Sequence, residues 1–246
     1  MTNNRDMIAK NIADLLHDGD VVNLGVGIPS LVGNYIPDKV TVLLHCENGC
    51  VGMDRELPFP WDMNNRESVA GWMEKMGGER GNWKTGHYDL INASNSLITL
   101  LPGGCCFDTA MSFSIARGGH LDATILGGFQ VDMDGNLANW AVPGQKVRGM
   151  GGAMDLVSGA KKVIVAMEHC SKSGTAKIVK ECSMPLTALK CVDIIVTELC
   201  IIYCRDGRLT VAAMAPGVTK EELQKKTDAV LDFADHIETM KLPESA

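Results

Sequence analysis

The sequence predicts an α/β fold, an open and mostly parallel or mixed sheet flanked by helices. Three observations predict it. Short continuous apolar runs rich in Val, Ile and Leu recur along the chain, as strands covered on both faces require. Segments with helical spacing lie between them. Glycine turns follow several of the runs, so strands end sharply before the next element begins.

Taken in order, residues 7–17 place Ile8, Ile12, Leu15 and Leu16 at helical spacing, and Gly19 stands in the stop zone. VVNLGVG (21–27) reads as a buried strand running into a glycine turn. Pro29 suits the first turn of a helix that continues through 30–36. VTVLLH (40–45) is a second buried strand. Residues 54–88 break the rhythm with three of the four Trp and many charges, and a short helix over 65–76 is expected there. Strands follow at 88–92 and 96–101, then a helix over 107–119 closed by Gly118-Gly119, and a strand over 121–132. Asp134-Gly135-Asn136 is a turn signal. The span 141–160 reads as a glycine-rich loop opening a helix. Strands are expected at 161–168 and 192–199, and a hairpin over 201–214 turns at Asp206-Gly207. A last helix is expected over 219–233, with Thr219 and Glu222 at capping-box spacing. No repeat, low-complexity tract or linker interrupts the chain, so residues 1–246 read as a single domain with an excursion at 54–88.

Hydrophobic residues make up 46% of the chain and charged residues 22%, a balance that can fill a core. The net charge of -7 argues against a nucleic-acid partner, whose phosphates it would repel. No apolar run approaches the roughly 20 residues needed to cross a bilayer, and residues 1–10 are polar, so a cytoplasmic location with no membrane partner is expected. The nine cysteines are odd in number and contain no C-x-x-C pair. They read as reduced thiols in the core, and no metal site is expected.

Three constellations carry chemistry. In Cys46-Glu47-Asn48-Gly49 a buried strand delivers an acidic residue onto an Asn-Gly turn. Ligands sit at the carboxyl ends of strands in parallel sheets, so Glu47 reads as a nucleophile or base there, or equally as an acidic residue in a surface turn. Asn23 to Pro29 places Gly25 and Gly27 between a strand and a helix, where backbone N–H groups can approach an anion. Ser30 stands where G-x-G-x-x-G would need its last glycine, so the dinucleotide fingerprint is incomplete. In Gly149 to Asp155, the small residues Gly151, Gly152 and Ala153 open a helix and expose N–H donors able to hold an oxyanion, or else pack a helix closely on the sheet. The histidines lack ligand spacing and read as structural, although Glu168-His169 follows a buried strand and could line a pocket. Ser112 and Ser114 lack the G-x-S-x-G context of a serine hydrolase. Lys172, Lys177 and Lys180 read as a solvated face.

Together these segments resemble the beta subunit of family I coenzyme A transferases, the 3-oxoacid type. The family's Ser-Glu-Asn-Gly signature stands here as Cys46-Glu47-Asn48-Gly49, and its V-N-L-G-x-G-I-P as residues 22–29. ARGGHLDATILGGFQVD (116–132), GNLANW (135–140), GMGGAMDLVSGAKKVIVAMEH (149–169), PLT (185–187), VTE (196–198) and APGVT (215–219) follow in the same order. The resemblance spans nearly the whole chain except 54–88. It implies the open α/β fold of that family, which is similar to ribose-phosphate isomerase. It implies an alpha-subunit partner in an α2β2 assembly, and no metal or redox cofactor, coenzyme A being a substrate. It also implies transfer of coenzyme A from a short-chain acyl-CoA, such as acetoacetyl-, acetyl- or butyryl-CoA, to a free carboxylic acid.

The roles of residues follow from the same resemblance. Glu47 would be the nucleophile that carries a glutamyl-CoA thioester. Gly152 and Ala153 would receive the thioester oxygen, and Asn23 would steady the intermediate. Asn48, Gly25, Gly27 and Gly151 would line the substrate or coenzyme A pocket. Two other readings stay open on the sequence: a thioester hydrolase of the same fold, and a non-catalytic chain that binds acyl-CoA.

Overall fold

The computed structural model describes residues 3–56, 90–147 and 149–243. The helix expected over 65–76, and most of the excursion at 54–88, lie outside them. The described chain begins with helix α1 (Asn4–Ala13), whose first turn is capped by the Asn3 side chain on the Arg5 N–H. That cap starts the helix earlier than the apolar spacing alone predicts, and Asp14 ends it before residue 17. Met7, Ile8 and Ile12 bury one of its faces.

Ten strands form one sheet. Its parallel centre is β1 (Val21–Leu24), β2 (Leu43–Cys46), β5 (Ala123–Gly127), β8 (Val163–Ala166) and β10 (Ile194–Val196), ordered β10-β8-β5-β1-β2. On one side β3 (Cys50–Glu56) and β4 (Ile98–Cys106) extend it antiparallel. On the other side lie β11 (Cys200–Arg205), β12 (Arg208–Met214) and β13 (Asp232–Thr239). A small second sheet joins β6 (Gln130–Asp132), β7 (Leu137–Ala138) and β9 (Ile178–Val179).

The continuous apolar runs follow from burial on both faces. Ile125, Ile164, Ile194 and Val196 face a cluster that includes α1, whereas Leu126, Val163, Val165 and Ile195 face a second cluster. That second cluster takes Ala116 of α2 (Thr109–Arg117), Leu156 and Val157 of α3 (Ala153–Gly159), and Leu223 of α4 (Lys220–Lys225). Among the described residues no helix is long and apolar enough to cross a membrane.

Several expectations change. The segment after Pro29 is a 3-10 helix, Pro29–Tyr35, not an α-helix. The strand expected over 88–92 contributes, among its described residues, only an isolated bridge at Ile91. The next strand, expected over 96–101, runs on to Cys106 because Cys105 and Cys106 pair with Val51 and Cys50. The run 121–132 is split between two sheets: a Cβ on Gly128 would press on Val165, and the chain turns there. The last helix stops at Lys225, although its capping box forms as the spacing predicts. Residues 232–239 instead form β13, because the free edge of β12 offers ladder partners that a local helix signal cannot weigh. The Asp206-Gly207 hairpin forms with both residues at positive φ, 52° and 70°.

Helix α2 touches α3 closely. A Cβ on Gly159, the last residue of α3, would overlap the carbonyl oxygen of Ala116. Gly159→Ala is expected to cost about 1–3 kcal/mol by overpacking, lowering Tm by several degrees in a thermal melt. An unchanged Tm would mean that the two helices separate without penalty.

Candidate active site

The carboxyl ends of four parallel strands meet at one cleft of about 720 Å³. Gly25, Gly27 and Pro29 follow β1, Glu47 follows β2, Gly127 and Gly128 close β5, and Met167 and Glu168 follow β8. The sheet grows in opposite directions from β1, to β2 on one side and β5 on the other. The cleft therefore opens at a topological switch point, where α/β sheets hold ligands. Gly151, Gly152 and Ala153 at the start of α3 form the facing wall.

Glu47 sits on the three-residue turn between β2 and β3. Gly49 N–H closes that turn onto the Cys46 carbonyl at 3.0 Å, and the Gly49 carbonyl accepts from Phe107 N–H at 3.0 Å. Gly49 has φ +127°, and a Cβ there would overlap the Phe107 carbonyl oxygen. Only glycine fits, so the turn is pinned and the carboxylate is held half-buried. Burial raises the Glu47 pKa above the usual carboxylate range, while a hydrogen bond from the Asn23 side chain works against the rise.

Gly152 stands opposite. A Cβ there would lie 3.8 Å from the Glu47 carboxyl carbon and 2.6 Å from Cζ of Phe113. The absence of a side chain therefore lets the backbone face the carboxylate closely. Gly152 is the N-cap of α3 and no side chain caps that end, which leaves first-turn N–H donors for another acceptor.

A buried polar chain runs beneath Glu47. Asn23, His45, Ser112 and Thr124 are all fully buried. Thr124 Oγ1 donates to Asn23 Oδ1 at 3.1 Å. Asn23 Nδ2 approaches His45 Nδ1 at 3.2 Å and the His45 carbonyl at 3.3 Å. His45 Nε2 lies 3.0 Å from Ser112 Oγ, which donates to the Cys46 carbonyl at 3.2 Å. Burial pushes the His45 pKa down to about 4, so its ring is neutral near pH 7. The ring stacks on Phe107, the same residue that pins the turn. The Cys46 thiol is no rival nucleophile: its hydrogen bond to Cys50, and burial, push its pKa well up.

The site residues expected from the sequence fall into place unevenly. Glu47, Gly25, Gly27, Gly151, Gly152 and Ala153 share the cleft lining, with Asn23 directly beneath. Asn48 does not join them. Its amide donates to the Ile91 carbonyl at 2.8 Å and ties the turn to the neighbouring chain. Lys172 and Lys177, expected on a solvated face, line the cleft instead with Arg5 and Glu168. Lys177 is half-buried, and desolvation lowers its pKa against the opposing pull of Glu168 and Glu198. His169 lies behind the cleft, fully buried between Thr197 Oγ1 (3.0 Å) and Thr227 Oγ1 (2.9 Å). Sequence reasoning misses His45 and Ser112 as site residues because their partners come from separate strands and a helix. The one available signal is a polar residue set within an otherwise apolar run, as Asn23 in VVNL, His45 in VLLHC and Thr124 in DATIL. The described residues contain no group of three or more His, Cys, Asp or Glu arranged to hold a metal ion.

The chain matches the family described as Coenzyme A transferase over residues 5–62 and 86–226. It belongs to the coenzyme A transferase family. The gap in that match falls inside the 54–88 segment that the sequence resemblance does not cover. Among its relatives, the beta subunit of the acetate CoA-transferase of Haemophilus influenzae is 45% identical over 240 residues, covering 98% of this chain and 96% of the relative. The B chain of the probable succinyl-CoA:3-ketoacid coenzyme A transferase of Bacillus subtilis is 43% identical over 230 residues, covering 94% of each. A crystal structure of an acyl-CoA transferase apoenzyme from Escherichia coli O157:H7 superposes with a TM-score of 0.70 at 19% identity. It covers 99% of this chain, while this chain spans only 45% of that one, and it speaks for the fold alone.

The buried histidines make stability depend on pH with a definite sign. His45 and His169 both have folded pKa values of about 4, against about 6.5 unfolded. Between those values the unfolded chain binds their protons and the folded chain does not. Their contribution is thus complete above pH 6.5 and is lost as pH falls toward 4. Replacing either with Gln should flatten the slope of unfolding free energy between pH 5 and 6 by about 1.4 kcal/mol per pH unit, read from urea midpoints. An unchanged slope would show that the ring is already protonated in the folded state. Glu47 carries the opposite sign, its raised pKa making the ionised form a burden on the fold. Glu47→Gln is expected to raise Tm at pH 7, with a gain that shrinks as pH falls.

Proposed function

We propose that this chain is the beta subunit of a CoA transferase that moves coenzyme A between a short-chain acyl-CoA and a free carboxylic acid through Glu47. One observation carries the proposal: a desolvated, pinned carboxylate faces the Gly152 backbone across a cleft at the switch point of the sheet. Two close relatives named for different acyl groups, acetate and succinyl-CoA:3-ketoacid, support the reaction class and leave the acyl group open.

The chemistry follows from the geometry. The Glu47 carboxylate attacks the thioester carbonyl, the C–S bond breaks, and the coenzyme A thiolate leaves with its electron pair. An acyl–glutamyl anhydride remains. The thiolate then attacks the Glu47 carbonyl and expels the acyl carboxylate, giving a glutamyl-CoA thioester. An incoming carboxylate reverses both steps and departs as the new acyl-CoA. A carboxylate nucleophile keeps the acyl group activated throughout, whereas a base that activated water would discard that free energy. Desolvation raises the basicity of Glu47 and favours attack. Backbone N–H groups at Gly152 and Ala153 meet the oxygen on which charge develops, and the Asn23 amide meets the Glu47 side. Lys172, Lys177 and Arg5 supply positive charge to a cleft that must take an anionic substrate, despite the net charge of -7.

A second chain completes the unit. Val26, Val147 and Met150 are 61%, 51% and 55% exposed around the cleft mouth. Such an apolar rim suits coverage by an alpha subunit, in keeping with relatives that are themselves named as one of two subunits and with an α2β2 assembly. No redox or metal cofactor enters the scheme, coenzyme A being substrate.

Intact mass of this chain, in complex with its alpha subunit and incubated with acetoacetyl-CoA without acceptor, tests the reading. A CoA-sized adduct on the wild type, absent from Glu47→Gln and discharged by added carboxylate, is expected. Turnover of Glu47→Gln should fall by roughly 10³-fold or more. Gly152→Ala, which crowds Phe113 and the oxygen site, should lose about 10²–10³-fold in kcat. Steady release of free coenzyme A with no adduct would instead establish a thioester hydrolase. An adduct that persists in Glu47→Gln would move the nucleophile elsewhere.

A further inference from the structure

We propose that His45 is a positioning residue for this site: its neutral ring fixes the orientation of the Asn23 amide, and through it the group that faces Glu47. The inference rests on the reading of Glu47 as the reacting carboxylate, and it concerns a residue two positions before it, directed away from the cleft.

The hydrogen-bond directions determine one another. Ser112 Oγ gives its proton to the Cys46 carbonyl at 3.2 Å, so a lone pair of that oxygen is left to accept. His45 Nε2, 3.0 Å away, must then carry the proton and donate it. Nδ1 is left bare and accepts from Asn23 Nδ2 at 3.2 Å. At the other end Thr124 Oγ1 donates to Asn23 Oδ1 at 3.1 Å, so the carbonyl side of the amide is held there. The amide is clamped between an acceptor and a donor, and only one of its two flip states satisfies both. In that state its nitrogen also faces the Glu47 carboxylate. All four side chains are fully buried, so water cannot replace a lost partner.

The surroundings agree. Helix α2 contributes Ser112 to this chain of bonds and Phe113 to the packing against Gly152. One helix therefore sets both the Asn23 amide, through His45, and the Gly152 wall across the cleft. His45 itself does not line the cleft, which separates it from the groups that touch substrate.

A double-mutant cycle on the complex with the alpha subunit tests this, with acetoacetyl-CoA as donor and acetate as acceptor. His45→Leu removes the acceptor while filling similar space. It is expected to lower kcat about tenfold or more with KM changed less than about threefold. His45→Gln, which can accept from Asn23 and donate to Ser112, should recover most of that loss. In an Asn23→Ala background, His45→Leu should cost less than about threefold, because the amide it positions is gone. Thr124→Val approaches the same amide from its other side and should reproduce the kcat loss if His45→Leu fails to fold. Equal losses from His45→Leu in both backgrounds would overturn the proposal, as would full activity in Thr124→Val and His45→Leu. Failure of the Glu47 reading shows separately, as a wild-type complex that turns over with no coenzyme A on Glu47. The coupling between positions 23 and 45 is read from kcat in either case.

Discussion

Holding a carboxylate partly out of water at the end of a buried strand is costly, and much of the surrounding structure meets that cost. Glu47 cannot turn back into solvent, because its turn is closed by Gly49 against the Phe107 carbonyl with no space for a Cβ. No lysine or arginine among the described residues pairs with it to neutralise its charge. What remains is hydrogen bonding from Asn23 and the backbone donors at the start of α3. The raised basicity that results is the property a carboxylate nucleophile needs. Stability and reactivity pull against each other at this residue, as they commonly do at sites that hold a strained or desolvated group.

That constraint organises the elements around it. The parallel register of β1 on β2 pairs Asn23 with His45, and that of β1 on β5 pairs Asn23 with Thr124, so three polar residues from three strands fall in one row. Ser112 closes the row from α2, and α2 packs on α3 through Gly159, which fixes where Gly152 stands. A row of satisfied polar side chains inside an apolar sheet adds little net stability. Its contribution is specificity: any other register or helix placement would leave buried donors and acceptors without partners.

The cleft also shows how a chain of net negative charge can receive an anion. The lysines and Arg5 gather at one wall, and half-burial of Lys177 concentrates its field toward the opening. The apolar rim beside them is the surface through which the family's second chain would reach the same cleft. The 54–88 segment, absent in part from the family match, is a separate feature of this chain.

The sequence by itself determined the α/β class, the central strands, the capped and glycine-closed helices, the Asp206-Gly207 hairpin, and the prominence of Glu47, Gly152 and their neighbours. These are legible because they rest on local rules: a doubly covered strand is apolar throughout, and a tight turn or close approach needs glycine. Tertiary structure alone decided the rest. Residues 232–239 became a strand because β12 presented an open edge, and 121–132 divided because two sheets competed for it. Lys177 moved from an expected solvated face into the cleft, and Asn48 turned out of it toward Ile91. The Thr124–Asn23–His45–Ser112 row could not be read in one dimension, since a hydrogen bond between residues 67 or 101 positions apart leaves no periodic trace. It exists only once strand register has placed those side chains at bonding distance with no water to compete.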